Sequence, residues 1–378
     1  MTGLPLEGVL VADFSRVLAG PLMTVMLADL GATVVKVERP GAGDDTRAWG
    51  PPFTDDSSTY FECANRSKKS VTLDLRDPAD LALAKELAAR ADVVVENFKA
   101  GAMTAFGLDY AAVRQVNPRV VYCSISGFGP DSDLPGYDFL VQAVGGLMSI
   151  TGADDGPPTK VGVALVDVLT AKDATIGVLA ALAARDRDGE GQLVEVNLLS
   201  SLLGSLANQA SAYLWTGKAP GRLGNRHPSI APYETLSCQD GLLAVCCGND
   251  GQFRRCVTEL GDPALADDPR FATNADRVAN RTELVAALET PLATDTTDSW
   301  ITRLTSVGVP AGKVGDLADA FGLADRLGLD PTTPVGPGRS PQVRHPISYS
   351  RTPVTRYAPP PRLGEHSDEI RRWLSTEE

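Results

Sequence analysis

Short apolar runs rich in β-branched residues alternate with longer stretches of helical spacing along the first half of the chain. Residues 8–38 form a βαβ pattern in which Pro21 stands near the start of a helix and Gly31 near its end. A further helix is predicted over 78–90. Strands that alternate with helices in this way favour an α/β fold with a doubly wound parallel sheet, covered on both faces. The strands are predicted at 9–12, 33–37, 92–96 and 119–125.

The second half of the chain carries a different pattern. A long helical stretch over 168–217 is interrupted by a strand-like run at 192–196. Residues 225–330 mix helix and strand patterns, with a hairpin around Gln239–Gly241, and 331–362 are rich in Pro and Arg with little periodicity. From these changes we predict a large domain over 1–205, a smaller α+β domain over 225–330, and linkers at 206–224 and 331–345.

Composition narrows the possible functions. The 378 residues carry a formal net charge of −13, which disfavours nucleic acid and anionic membrane surfaces as partners. The six cysteines and three histidines show no metal-ligand spacing, so no metal site is expected. Neither a leader pattern nor an apolar stretch of about 20 residues is present, which indicates a cytoplasmic protein. No GxGxxG motif follows the first strand, so a nicotinamide cofactor is not expected.

Asp167 is the strongest candidate for a catalytic residue. It follows the apolar run Val161–Val166 and precedes a helix pattern over 168–184. The dipole and the free N–H groups at a helix N-terminus favour an anion, and an ionised aspartate held there can act as a nucleophile in covalent acyl transfer. The alternative interpretation is an ordinary N-cap, for which Asp is among the preferred residues.

Three features near predicted strand ends are candidate nucleotide-binding elements. Asp13–Pro21 joins the first strand to the first helix, where a doubly wound sheet binds phosphates, although the same pattern fits a tight strand-to-helix turn. Glu96–Gly101 closes the third strand, and its Asn97 and Phe98 could hold a nucleotide base or simply complete a turn. Arg39 follows the second strand, where its side chain could contact an adenosine or its 3′-phosphate.

Two further segments have polar chemistry of their own. One is a basic cluster, which has some claim to an anionic partner in so acidic a chain but equally fits a solvated surface. Its members are Arg66, Lys68, Lys69 and Arg76. The other is Gly248–Phe253, which follows a strand and precedes a helix. Its backbone N–H groups could receive a thioester oxygen as charge develops there, whereas turn chemistry explains the Asn-Asp-Gly sequence equally well.

Together these segments match the motifs of one family, in order and almost from end to end. The matching stretches are Asp13-Phe14 through Gly20-Pro21, Gly31-Ala32 through Glu38-Arg39, Asn65 through Leu75, Glu96-Asn97-Phe98, Ser126-Gly127-Phe128-Gly129, Pro135-Gly136-Tyr137-Asp138, Gly162 through Asp167, Gly224-Asn225-Arg226-His227, Gly248-Asn249-Asp250 and Pro361 through His366. On these motifs the chain resembles the class III CoA-transferase family, which includes formyl-CoA transferase and the carnitine-related CoA-transferases.

The resemblance implies roles for individual residues. Asp167 would be the nucleophile that becomes acylated, and Asp138 would be an acidic residue of the active site. A mobile loop over the active site would consist of Gly248, Asn249, Asp250 and Gly251. The residues implied around the acyl-CoA substrate are Val17, Leu18, Ala19, Arg39, Leu73, Arg76, Asn97, Phe98 and Tyr137.

The resemblance also implies an assembly and a reaction. The assembly is an interlocked homodimer, in which each chain forms a ring threaded by the other and 335–378 returns to complete the large domain. The reaction moves CoA from an acyl-CoA donor to a carboxylic acid acceptor. Formyl-CoA transferase has a glutamine where this chain has Leu18, and its glycine-rich loop is only partly kept as Gly248–Gly251. The apolar Leu18 argues against formate and oxalate as the preferred acids, and the acceptor stays open.

Three other functions compete with acyl transfer. α-Methylacyl-CoA racemase shares the implied fold and uses a His and an Asp as paired bases. Here Tyr137 stands in the place of that histidine, and a tyrosine has a poorly matched pKa for the proton transfer. A dinucleotide-dependent oxidoreductase is suggested only by the βαβ opening. A non-catalytic CoA-binding protein would keep Asp167 but transfer no acyl group.

Overall fold

The computed structural model describes residues 3–376, and backbone packing divides them into two compact units. The first unit contains residues 3–147, 161–218 and 330–376, and the second contains 148–160 and 219–329. None of the helices in this part of the chain has both the length and the apolar surface that crossing a bilayer requires.

The strands form a six-stranded sheet and a two-stranded ribbon in the first unit, and a three-stranded sheet in the second. Their bounds are β1 Leu10–Asp13, β2 Thr33–Glu38, β3 Lys68–Thr72, β4 Val93–Glu96, β5 Val121–Ser126, β6 Leu193–Asn197, β7 Tyr233–Ser237, β8 Leu242–Cys246, β9 Ala311–Lys313, β10 Thr332–Thr333 and β11 Gln342–Val343.

The helices connect and cover these strands. Their bounds are α1 Ala19–Asp29, α2 Thr59–Glu62, α3 Pro78–Arg90, α4 Ala102–Phe106, α5 Tyr110–Val116, α6 Asp138–Val144, α7 Leu147–Ile150, α8 Leu165–Asp188, α9 Leu198–Ser205, α10 Ala207–Thr216, α11 Asp250–Glu259, α12 Asn274–Ala279, α13 Arg281–Leu292, α14 Thr297–Ser306, α15 Leu317–Arg326 and α16 Ser367–Ser375. Two 3₁₀ helices span Asp45–Ala48 and Pro263–Ala266.

The large sheet is parallel throughout and has the strand order β3-β2-β1-β4-β5-β6. The predicted strands are confirmed as β1, β2, β4 and β5, and the strand-like run at 192–196 as β6. Because β1 pairs with both β2 and β4, the direction of winding reverses between β1 and β4. Ligands of open α/β sheets bind at the carboxyl ends of the strands at such a reversal.

The alternation of side chains along β1 explains why both faces of this sheet are covered. Val11 packs with α1, α8 and α9 on one face, whereas Ala12 packs with α3 and α16 on the other. Ile370 of α16 is fully enclosed in the second cluster. The end of the chain therefore completes the core of the first unit, and a sheet buried on both faces gives the near-continuous apolar runs seen in the sequence.

Strand β3 corrects one interpretation of the sequence. The basic pattern of this segment is compatible with a solvated surface or an anion-binding patch, but residues 68–72 form β3, which pairs with β2 at the edge of the sheet. The Nζ of Lys68 lies 3.1 Å from the Asp13 carboxylate. The Arg66 guanidinium lies 2.6 Å from the Asp29 carboxylate. These two cations are neutralised within the fold, which leaves them unavailable to a ligand.

The second unit is built on a hairpin. Strands β7 and β8 pair antiparallel through the predicted turn at Gln239–Gly241, and β9 pairs antiparallel with the other edge of β8. Its core is formed by α11, α13 and α14, with Phe253, Leu284 and Trp300 enclosed between them and the strands. The second unit thus combines helices with a small antiparallel sheet.

Residues 148–160 pack with the second unit although they lie within the predicted range 1–205. Arg222 donates hydrogen bonds to the carbonyls of Ala153 and Gly156, and Arg226 pairs with Asp154. These arginines are some 70 residues away along the chain, so local patterns carry no sign of the contact.

Candidate active site

The turn between β1 and α1 is organised by a buried carboxylate. Asp13 ends β1 and accepts hydrogen bonds from the hydroxyls of Ser15 at 2.5 Å and Thr24 at 2.6 Å. Burial would raise the pKa of Asp13, but Lys68, Lys36 and the two hydroxyls together lower it to about 2. Asp13 is therefore ionised at neutral pH and serves to fix the turn rather than to react.

Asn97 holds this turn from the neighbouring strand. Its Oδ1 accepts a hydrogen bond from the Arg16 N–H at 2.8 Å, and its Nδ2 donates to the Arg16 carbonyl at 2.7 Å. The predicted nucleotide-facing amide is thus engaged with the backbone in this conformation. The Arg16 guanidinium lies 5.2 Å above the Phe98 ring, within the range of a cation–π contact.

Arg16 shares an acidic partner with Arg39. Arg39 and Arg16 both pair with Asp45, at 2.5 Å and 3.3 Å, and all three groups are partly exposed. Arg76 is also exposed. The Leu73 side chain is buried, so this residue could contact a ligand only through its backbone. Asp45 thus links Arg39, which follows β2, to Arg16, which lies over the Phe98 ring.

Asp138 caps helix α8. Its Oδ1 accepts hydrogen bonds from the N–H groups of Val166 at 2.8 Å and Asp167 at 3.3 Å, and its Oδ2 accepts one from Gln142 at 2.7 Å. The sequence placed Asp167 before the helix, but α8 begins at Leu165 and Asp167 lies within its first turn. The N–H groups expected to favour an anionic Asp167 are instead bonded to Asp138.

Asp167 therefore has an unusual environment for a carboxylate. Burial, followed by the negative charge of Asp138, raises its pKa to about 7. Within residues 3–376, no donor forms a hydrogen bond to its side chain. A carboxyl group with a pKa near neutrality and no hydrogen bond to its oxygens is free to attack an electrophile once ionised.

Tyr60 is a site residue that sequence reasoning missed. Burial, followed by the charge of Asp167, raises its pKa to about 12, with smaller effects from Cys63 and Asp138. Its ring meets that of Trp49 edge-on, with the centroids 5.3 Å apart. The short helix α2 that carries Tyr60 follows a segment of Pro, Asp and Ser without periodicity, and so gave no signal. Its phenol stays protonated at neutral pH and can only donate or accept hydrogen bonds there.

The predicted loop Gly248–Gly251 belongs to the second unit. Asn249 caps α11 by accepting from the Gln252 N–H at 2.9 Å, and the Gly248 N–H is bonded to the Gln252 side chain at 2.8 Å. Arg277, which the sequence did not single out, has no exposed side-chain surface and lies 2.7 Å from the Asp250 carboxylate. The loop is anchored in this conformation, with the Gly248 donor already occupied.

The other residues that the resemblance implies around the acyl-CoA lie in the β1–α1 turn and before α6. Val17, Leu18 and Ala19 form the end of the β1–α1 turn and the start of α1. Tyr137 directly precedes α6, with 63% of its surface exposed.

Comparison with known proteins fixes the family. Residues 6–367 match the family described as CoA-transferase family III. The chain belongs to that family. A succinate–glutarate CoA-transferase of Agrobacterium fabrum is 43% identical over 98% of this chain and 96% of its own length. An acetyl-CoA:oxalate CoA-transferase of Acetobacter aceti is 43% identical over 84% of this chain and 83% of its own.

A solved structure agrees with the sequence relatives. The crystal structure of a CAIB/BAIF family protein from Brucella suis has a TM-score of 0.88 and 44% identity, and covers 99% of this chain and 100% of its own. This family III protein is therefore an enzyme, a CoA-transferase that moves CoA between an acyl-CoA and carboxylic acids. The resemblance drawn from the sequence motifs is confirmed.

Proposed function

We propose that Asp167 is the nucleophile of this CoA-transferase. Its carboxylate attacks the thioester carbonyl of the donor acyl-CoA, the C–S bond breaks, and a mixed anhydride and CoA thiolate form. The thiolate attacks the aspartyl carbonyl and releases the donor acid as its carboxylate, which leaves an aspartyl-CoA thioester. The acceptor carboxylate attacks this thioester, and the thiolate then attacks the acyl carbonyl of the new anhydride, which regenerates Asp167.

The observation that carries this proposal is the environment of Asp167. A nucleophile has to be ionised, yet it should not be stabilised so strongly that it is unreactive. Since the pKa of Asp167 is about 7, a substantial fraction of its carboxyl groups is ionised at neutral pH. Since no hydrogen bond holds the carboxylate oxygens, none has to break before attack. Asp138 contributes by occupying the helix N-terminus that would otherwise stabilise the Asp167 anion.

The nucleotide end of CoA is assigned to the carboxyl ends of β1, β2 and β4. Arg39 and Arg16 supply positive charge for phosphates, and Phe98 supplies a ring for the base. The remaining assigned contacts are Val17, Leu18, Ala19, Leu73 through its backbone, Arg76, Asn97 and Tyr137. Such remote contacts hold the thiolate next to the anhydride, so the second step is effectively intramolecular.

The acids exchanged are assigned as dicarboxylates, with succinyl-CoA as donor and glutarate as acceptor. Support comes from the Agrobacterium relative, whose name gives succinate and glutarate. The Acetobacter relative, named for acetyl-CoA and oxalate, favours a second candidate pair at the same identity. The apolar Leu18 supports the first pair, because it offers no hydrogen bond to a small polar acid.

The test is intact-protein mass spectrometry after incubation with succinyl-CoA, acetyl-CoA, oxalyl-CoA and formyl-CoA, quenched with hydroxylamine or borohydride. We expect a mass change on Asp167 that is strongest with succinyl-CoA and absent in Asp167→Ala. Glutarate added before the quench should discharge the adduct faster than oxalate. A racemase-like enzyme would instead show no adduct and would exchange the α-proton of its substrate in deuterated water, and a CoA-binding protein would show neither.

The interlocked homodimer is part of the same proposal. Helix α10 has no buried residue within its own chain, and the exposed fractions of Leu214 and Trp215 are 81% and 91%. So much exposed apolar surface is typical of an interface. Light scattering after gel filtration should give twice the chain mass of 39.8 kDa, and tagged and untagged chains should not exchange without unfolding. A monomer, or rapid exchange of subunits, would contradict interlocking.

A further inference from the structure

Val17 has a backbone conformation that its side chain disfavours. Its φ is +71°, in the left-handed region, where a β-branched residue is an outlier. Such strain persists only where the surroundings impose it, and it concentrates at functional sites. Val17 lies in the turn between β1 and α1, at the reversal point of the sheet.

The surroundings hold three consecutive residues of this turn by their backbone. The Ser15 carbonyl accepts a hydrogen bond from the Lys36 Nζ at 2.9 Å, and the Val17 N–H donates to the Asp44 carboxylate at 3.2 Å. Between them, both backbone groups of Arg16 are bonded to Asn97. Three different segments of the chain therefore fix the path of the turn.

Lys36 and Asp44 act as one clamp. The Lys36 Nζ lies 2.9 Å from the Asp44 Oδ2, and neither side chain has any exposed surface. Asp44 is itself fixed, because its backbone N–H is bonded to Glu38 at 3.0 Å and its Oδ1 accepts from the Thr46 N–H at 3.0 Å. The pair thus joins the Ser15 carbonyl to the Val17 amide across the strained turn.

We propose that Lys36 and Asp44 are positioning residues that hold Val17 in its left-handed conformation and so hold the start of α1 against the acyl-CoA. The inference rests on the proposed function, which assigns Val17, Leu18 and Ala19 to the substrate. Lys36 and Asp44 touch no reacting atom. Without the clamp, Val17 relaxes to a negative φ, and the backbone that follows it moves away from the thioester.

A matched ion pair elsewhere in the first unit separates positioning from simple stability. Asp29 has no exposed side-chain surface and pairs with Arg66 at 2.6 Å, but it ends α1, whereas the turn precedes that helix. At about 1.5 Å per residue, the 11 residues of α1 separate the two sites by roughly 16 Å. Asp29→Asn and Asp44→Asn therefore remove the same charge from two aspartate side chains that both have no exposed surface.

The experiment measures kcat/KM for succinyl-CoA and the rate of adduct formation on Asp167 in each variant. We expect Asp44→Asn to lose roughly 10- to 100-fold in both, since a displacement of about 1 Å can cost that much. Asp29→Asn should stay within about twofold of the wild type when the folded fraction is matched. Val17→Gly added to Asp44→Asn should recover part of the loss, because glycine adopts a positive φ without steric cost.

Several results would overturn the inference. Wild-type rates in Asp44→Asn, equal losses in Asp29→Asn, or no recovery from the added Val17→Gly would each do so. If Asp44→Asn does not fold, thermal unfolding of Val17→Gly and Val17→Ala decides the matter, because the strain requires the glycine variant to be the more stable. No adduct in the wild type would instead reject the proposed function, so the two failures are distinguishable.

Discussion

Asp138→Asn should shift the pH dependence of the reaction to lower pH. The charge of Asp138 is one of the two causes that raise the pKa of Asp167 to about 7. Its Oδ1 lies 3.3 Å from the Asp167 backbone nitrogen, so the substitution removes a negative charge very close to Asp167. Asparagine keeps an oxygen that can accept from the Val166 and Asp167 N–H groups, and the helix cap is retained.

The size of the shift follows from Coulomb's law. For two carboxylates roughly 6 Å apart, 332/(εr) gives about 0.7 kcal/mol at a dielectric constant near 80 and about 2.8 kcal/mol near 20. Since one pKa unit corresponds to about 1.4 kcal/mol, the expected shift is roughly 0.5 to 2 units. Burial still acts on Asp167 in the variant, so its pKa should stay above that of an ordinary aspartate.

The assay is kcat/KM for succinyl-CoA between about pH 5 and 9, which reports the ionisation of the free enzyme. The wild-type profile should rise with a midpoint near 7 and then level off, because the proposed mechanism requires the ionised carboxylate of Asp167. Asp173→Asn is the control, since Asp173 is an exposed carboxylate further along α8. An unchanged or higher midpoint in Asp138→Asn, or an equal shift in Asp173→Asn, would refute the reasoning.

Three further predictions concern stability. Asp167→Asn should raise the melting temperature by a few degrees above pH 8 and change it little near pH 4. The pKa of Asp167 is about 7 in the folded protein and about 3.9 in the unfolded chain, so the wild type loses stability as the pH rises between these values. If Asp167 were an ordinary exposed carboxylate, calorimetry would show the same difference between variant and wild type at every pH. Gly20→Ala should lower the free energy of unfolding in urea by about 1–3 kcal/mol, because a Cβ at this position would lie 2.3 Å from the Ser15 side chain. An unchanged free energy of unfolding would contradict that close approach. Arg277→Met should lower the free energy of unfolding by about 3 kcal/mol or more, because the buried guanidinium donates to two backbone carbonyls and to Asp250. Asp250→Asn should lower it much less, because the Asp250 carboxylate is largely exposed. Equal losses in urea unfolding would show that Arg277 does not anchor the loop.

The chemistry of the site is concentrated in one contact. By accepting the first N–H groups of α8, Asp138 deprives Asp167 of the usual stabilisation at a helix N-terminus. It also adds a negative charge beside a partly buried carboxyl group. Both effects raise the free energy of the Asp167 anion. Variants of Asp138 should therefore alter the reactivity of Asp167 even though Asp138 need not touch the acyl group.

Local sequence patterns were enough to predict much of the first unit. Strand and helix periods depend on neighbouring residues only, so the runs at 9–12 and 33–37 read directly as β1 and β2. Residues 65–75 failed this test, because Lys68 and Ser70 interrupt the apolar pattern of β3. These polar side chains can be buried in β3 because Lys68 pairs with Asp13 and the Ser70 hydroxyl donates a hydrogen bond to Glu38.

From the sequence alone, five of the six strands of the large sheet and the family could be predicted, and Asp167 could be singled out as a candidate, because periodicity and motifs are properties of short segments. Only the tertiary structure decided that Asp138 caps α8, that Lys36 and Asp44 clamp the turn, and that the pKa of Asp167 is raised. These depend on burial and on contacts between side chains far apart in sequence; Asp138 lies 29 residues from Asp167. Charge and hydrogen-bond effects of this kind are set by distance in space, which no local pattern specifies.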